Sequence, residues 1–114
     1  MEGIEDDSSV EYFEKVVNGI PYLDGAIKET LRMYPPVTVL FRRVKAESGY
    51  TLKNVHLPKD TLIEINTYAI QRDPEYYPEP DRFNPERFLP ENKDKLVPYT
   101  YLPFGAGPRN CIGM

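Results

Sequence analysis

Cysteine and histidine occur once each, as Cys111 and His56, in a chain of 114 residues, and tryptophan is absent. One thiol cannot form an intrachain disulfide. One thiol and one imidazole cannot complete a four-ligand zinc site or a four-thiolate iron–sulfur cluster. Positive charge is also scarce: 14 Lys plus Arg stand against 18 Asp plus Glu, a formal net charge of −4. A nucleic-acid surface attracts the opposite balance, so no nucleic-acid partner is expected. No apolar run reaches the roughly 18 residues that a membrane span needs, and the acidic opening is unlike a signal peptide. A chain of this length holds one domain at most.

Proline, by contrast, is abundant, with 12 residues, eight of them between Pro74 and Pro108. Nine Tyr, five Phe and a 40% apolar share argue against disorder, so the C-terminal third reads as ordered coil. A long segment without helix or strand is uncommon in a compact domain unless it has a task. Six acids precede the first base, Lys15, which marks residues 1–20 as an acidic lead-in. A short helix is expected there from Ser9 to Val17, capped by Ser8 or Ser9.

The strongest helix signal spans Tyr22 to Tyr34, with Leu23, Ile27, Thr30, Leu31 and Tyr34 on one face of a 3.6-residue period. Pro35 and Pro36 end it. Val37–Val44, Thr51–Leu57 and Thr61–Tyr68 read as strands, separated by Ser48-Gly49 and by Pro58-Lys59-Asp60. These predict a small, mostly antiparallel sheet of about three strands. A short helix near Ile70–Tyr76 is expected before the proline-dense coil.

The chemistry concentrates in Phe104-Gly-Ala-Gly-Pro-Arg-Asn-Cys-Ile-Gly113, where three glycines, an arginine and the only cysteine share ten residues. Glycine permits positive φ and close approach of backbone to a bulky ligand. Turn N–H groups and a nearby guanidinium favour an anionic sulfur. On spacing alone, a tight turn around an inert buried cysteine remains open beside a ligand loop. A dinucleotide loop does not fit, since Asn110 stands where a third small residue is needed and Pro108 disrupts a helix start; a phosphate loop lacks its Lys-Ser/Thr pair. A cysteine hydrolase pairing Cys111 with His56 is a third reading, although a single histidine in a strand-like segment reads as structural.

Taken as a whole, Phe104-x-x-Gly107-x-Arg109-x-Cys111-x-Gly113 resembles the haem-ligand loop of the cytochrome P-450 family. Glu29-Thr-Leu-Arg32, followed by Pro35-Pro36, is similar to that family's Glu-x-x-Arg helix, and Arg72-Asp73-Pro74 and Pro85-Glu86-Arg87-Phe88 follow in the family's order. The resemblance covers roughly Pro21 to Met114 and is greatest to the animal microsomal branch.

The resemblance implies an α+β fragment of the mainly α cytochrome P-450 fold. Its parts would be the Glu-x-x-Arg helix (21–36), a small antiparallel sheet (37–70), a proline-rich meander (71–103) and the haem-binding loop (104–113). It makes Cys111, as thiolate, the axial ligand of the iron of haem b. A sulfur anion in that place pushes electron density toward iron and favours O–O cleavage. It gives Arg109 and Arg42 to the haem propionates, with Arg43 close behind Arg42, and packs Phe104 beside the porphyrin. Gly107 and Gly113 supply clearance. Glu29 and Arg32, on a helical wheel alone a solvated i,i+3 pair, become with Arg87 a buried network that ties the helix to the coil. Val37–Phe41 would line an apolar substrate pocket.

The activity implied is insertion of one oxygen atom from O₂ into a lipophilic steroid, lipid or xenobiotic, with electrons from NADPH through a partner flavin reductase at the endoplasmic reticulum membrane. The family's chain is several times longer. Its membrane anchor, its oxygen-handling helix with an acid–alcohol pair, and the helix after the cysteine loop have no counterpart here. This chain alone is therefore expected to be inactive, and a truncated, non-catalytic binding module is the alternative.

Overall fold

The computed structural model describes residues 19–113. The expected helix and cap between Ser8 and Val17 lie outside them. Helix α1 (Pro21–Met33) begins with proline at its first position, where the missing N–H costs nothing. It ends as the Tyr34 N–H donates to Thr30 O at 2.8 Å, just ahead of the two prolines. Its outward Asp24–Lys28 pair, 2.6 Å apart, is half-exposed and contributes only tenths of a kcal/mol.

The periodic apolar stripe does not point inward. Leu23 and Ile27 are 39% and 50% exposed, while the buried residues of α1 are Gly25, Glu29, Arg32 and Met33. That face packs on a 3₁₀ turn (Pro85–Phe88) in the coil, so closely that a Cβ on Gly25 would lie 2.7 Å from Pro85 O.

Four strands follow rather than three, in two separate two-stranded antiparallel sheets. Strand β1 (Val39–Arg43) pairs with β4 (Leu62–Asn66), with Leu40 opposite Ile65 and Arg42 opposite Ile63. The segment expected as one strand over Thr51–Leu57 is a hairpin, β2 (Tyr50–Leu52) and β3 (Val55–Leu57). Lys53 reverses it with φ 50°, a left-handed conformation adopted by a residue that gives no turn signal. Gly49 precedes the hairpin at φ 74°, where an added Cβ would fall 2.5 Å from Leu57 O.

The short helix also lies earlier than expected. α2 spans Thr67–Ile70, because the Asn66 side chain ends β4 and accepts the Ala69 N–H at 2.9 Å. Beyond it, Asp73 holds successive turns by accepting from the N–H groups of Glu75, Tyr76 and Tyr77.

The coil's own regular structure consists of Pro85–Phe88 and a second 3₁₀ stretch, Pro90–Lys95. The Phe88 and Tyr101 rings pack against each other at 4.8 Å between centroids, tilted by 53°. Met33, Val44, Tyr77, Phe88 and Leu102 form the apolar core, yet four of the five largest fully buried side chains are Arg32, Gln71, Glu29 and Thr67. The centre of the structure is polar. Among the described residues, no helix is long and apolar enough to cross a membrane.

Candidate functional site

Chain reversal at the C-terminal end is built from glycine and backbone hydrogen bonds. Gly105 (φ 75°) and Gly107 (φ 82°) occupy the left-handed region that disfavours other residues. The Gly105 N–H donates to Leu102 O at 3.2 Å, Asn110 N–H to Gly107 O at 3.1 Å, and Cys111 N–H to Phe104 O at 2.8 Å. The last of these closes the loop and holds Cys111 beside the half-buried Phe104. Cys111 is free and exposed, so the inert buried cysteine is not what the structure contains. A Cβ on Gly113 would lie 3.9 Å from the Cys111 Sγ, and one on Gly107 would meet nothing within 4 Å.

Strand β1 flanks this loop. A Cβ on Gly105 would lie 3.7 Å from Leu40 Cδ1, and Arg42, two residues on, shares the strand face of Leu40. Arg42 is half-buried and donates to Phe41 O at 2.8 Å; Arg43 points the other way, is exposed, and reaches Asp60 O at 3.3 Å. Glu47 pairs with Lys59. Arg109 is exposed, and among the described residues no hydrogen bond joins it or Arg42 to Cys111. His56 sits on the exposed hairpin, its Nδ1 3.4 Å from Thr51 Oγ1.

Behind the loop lies the polar centre. Arg32 donates through Nε to Glu29 Oε2 (2.7 Å) and through Nη2 to Glu29 Oε1 (2.9 Å), a bidentate pair with both side chains fully buried. Its remaining donors hold the coil: Nη1 to Gln71 O and Nη2 to Pro80 O, each at 2.7 Å. The guanidinium lies 5.1 Å from the Tyr77 ring centroid. Glu29 Oε1 also accepts the Asn84 N–H at 2.9 Å and lies 3.4 Å from Arg87 Nε. Arg87 donates onward to Glu79 O at 3.0 Å. Thus Glu29, Arg32 and Arg87 meet. Burial raises the Tyr77 phenol above its usual pKa of 10.0, with the Thr100 hydrogen bond and Arg32 partly opposing; burial likewise raises Tyr101.

Arg72 anchors the start of the coil, donating to Asp81 Oδ1 at 2.6 Å and to Met33 O at 3.0 Å, and stacking on Tyr68. Sequence reasoning missed Gln71, Asn84 and Thr100. Gln71 bonds the main chain of Arg32 and Leu102, the Asn84 N–H donates to the Glu29 carboxylate, and Thr100 meets the Tyr77 hydroxyl; these partners are distant in sequence, which is why local patterns do not reveal them. A cleft of 360 Å³ lined by Tyr76, Asn84, Arg87 and Leu96 opens on the coil. It does not include Cys111, which stands on an open surface.

The residues fit a haem. One exposed soft sulfur stands on a glycine loop with an open side, and no cluster of three potential ligands lies among the described residues. A group that brings its own equatorial donors and needs a single axial thiolate suits such a donor set.

A family model described as Cytochrome P450 matches residues 4–114. Cytochrome P450 3A40 of Oryzias latipes is 52% identical over 93 residues, 82% of this chain and 18% of that protein. Cytochrome P450 9e2 of Blattella germanica is 46% identical over 115 residues, 96% of this chain and 20% of its own length. Lithocholate 6-beta-hydroxylase of Mesocricetus auratus is 48% identical over 99 residues, 87% of this chain and 19% of that protein. The chain spans about a fifth of the length of the curated relatives it matches.

Proposed function

The chain belongs to the cytochrome P450 family, and from that premise we propose that it is the cysteine-loop portion of a longer haem-thiolate monooxygenase acting on a lipophilic steroid, lipid or xenobiotic. The observation that carries this reading is the exposed Cys111 thiol at the end of a loop closed by its own N–H on Phe104 O. When bound, the haem supplies the iron centre at which O₂ is activated so that one oxygen atom enters substrate.

Cys111 would hold the iron as thiolate and supply it with electron density. Phe104 would pack beside the porphyrin and the sulfur, and Gly107 and Gly113 would keep the approach free of side chains. Arg109 and Arg42 neutralise the propionates and so orient the group; Arg42 is favoured over Arg43 because it shares the strand face of Leu40, next to Gly105. Val37, Leu40 and Phe41 offer apolar surface to substrate, with Val37 and Phe41 about half exposed. The Glu29–Arg32–Arg87 cluster holds the coil, and with it the loop, against α1.

Electrons come from NADPH through a separate flavin reductase at the endoplasmic reticulum membrane, to which the longer protein is anchored. The 114-residue chain alone does not turn over substrate, a reading supported by the share of its relatives that it spans and by the exposed stripe of Leu23 and Ile27. The test is Cys111→Ser in the full-length protein. It is expected to abolish the thiolate-type reduced carbon monoxide band and oxygenation together; retention of both would overturn the assignment.

A further inference from the structure

Gln71 is fully buried at the end of α2, and its side-chain amide is saturated by main chain from two distant segments. Nε2 donates to Arg32 O at 3.0 Å and to Leu31 O at 3.4 Å, carbonyls that the last turn of α1 leaves without helical partners. Oε1 accepts the buried Leu102 N–H at 2.7 Å. The partners settle the amide's orientation, since a flip would set oxygen against two carbonyls and nitrogen against an N–H. Leu102 O in turn accepts the Gly105 N–H, the first hydrogen bond of the cysteine loop. An unbroken run of bonds therefore links the helix bearing Arg32, through one side chain, to the point where the chain enters the loop of Cys111.

We propose that Gln71 is a positioning residue for the Cys111 ligand: it fixes the Leu102 peptide, and so the height at which the loop presents sulfur. The inference rests on the haem-thiolate reading. The Glu29–Arg32 pair holds the coil as a whole, whereas Gln71 alone among the described residues bonds the entrance of the loop to α1 by a side chain. Losing it leaves the buried Leu102 N–H without an acceptor while the volume can be kept.

The test compares three variants of the full-length holoprotein. Gln71→Met keeps shape and removes all three side-chain bonds. Thr67→Val is the control, since it removes an equally buried hydroxyl that donates to Val37 O at 3.0 Å and has no link to Leu102. Gln71→Glu can mimic the amide only while its carboxyl is protonated, because the carboxylate would face Arg32 O with no donor.

The readout is the ratio of thiolate-type to thiol-type reduced carbon monoxide spectrum, and the rate at which the first converts to the second. Gln71→Met is expected to convert about tenfold faster than the native protein, the size an orphaned buried N–H implies, with Thr67→Val near native. Gln71→Glu is expected to look native in mild acid and to lose the thiolate-type signal as pH rises. Equal conversion in Gln71→Met and Thr67→Val overturns the inference. Should Gln71→Met hold no haem, a Gln71→Glu ratio that follows pH no differently from native overturns it instead. Failure of the haem-thiolate reading is separate: it shows as an unchanged band in Cys111→Ser.

Discussion

Arg32→Met in the full-length protein is expected to cost more than any other single change outside the cysteine loop. The substitution removes four hydrogen bonds, two to Glu29 and one each to Gln71 O and Pro80 O. Glu29 keeps only the Asn84 N–H and the 3.4 Å contact with Arg87, and its carboxylate stays fully buried. Breaking one side of such a pair costs about 3–5 kcal/mol, most of it the uncompensated charge. Against a typical stability of about 5–15 kcal/mol, that is a large share.

Non-additivity follows from the charges. Glu29→Gln alone strands Arg32; Glu29→Gln with Arg32→Met strands neither charge, and the amide oxygen introduced at position 29 can still accept from Asn84. The double variant should therefore cost about 1–3 kcal/mol less than the sum of the singles. Arg32→Lys should fall between the native protein and Arg32→Met, because an ammonium keeps a positive charge beside Glu29 but cannot span the carboxylate and two carbonyls at once. Urea titrations followed by circular dichroism and haem absorbance provide the midpoints. Single costs that add to within about 0.5 kcal/mol would refute the uncompensated-charge reasoning.

Arg87→Ala should lose haem incorporation and not merely turnover, since Arg87 joins Glu29 to the Glu79 carbonyl; normal haem per polypeptide would refute this. Its structural cost should be smaller than that of Arg32→Met, because Arg87 is 12% exposed and its contact with Glu29 is longer. The tyrosines predict an alkaline limit. Burial raises the folded-state pKa of Tyr77 and Tyr101, so their contribution is intact below the unfolded phenol's value of about 10 and falls as pH climbs beyond it, where only the unfolded chain ionises. Tyr101→Phe should flatten the decline of the urea midpoint above about pH 10; an unchanged slope would count against it.

Much of this structure is visible in the sequence, for reasons that differ by element. α1 announces itself because proline bounds it at both ends and an apolar period runs between. The same period misleads about which face is inside: a wheel cannot show that Glu29 and Arg32 satisfy each other and find carbonyls 39 and 48 residues further on. The β2–β3 hairpin is hidden because Lys53 takes a conformation that usually signals glycine or asparagine. The displaced α2 follows from Asn66, an Asx cap placed inside an alternating strand pattern. The cysteine loop is legible because its glycines, arginine and cysteine are contiguous. Gln71 is not, because its meaning depends on Leu102, 31 residues away.

Apart from their shared contact with Glu29, the two guanidinium groups at the centre grip main-chain oxygens, those of Gln71, Glu79 and Pro80. Such a grip is blind to residue type but strict about count. Between positions 71 and 80 exposed side chains are free to drift, since any amino acid offers a carbonyl, whereas insertion or deletion of one residue would pull an oxygen out of reach. Variation in this stretch should therefore accumulate as exchanges at constant length, and its spacing will outlast its spelling.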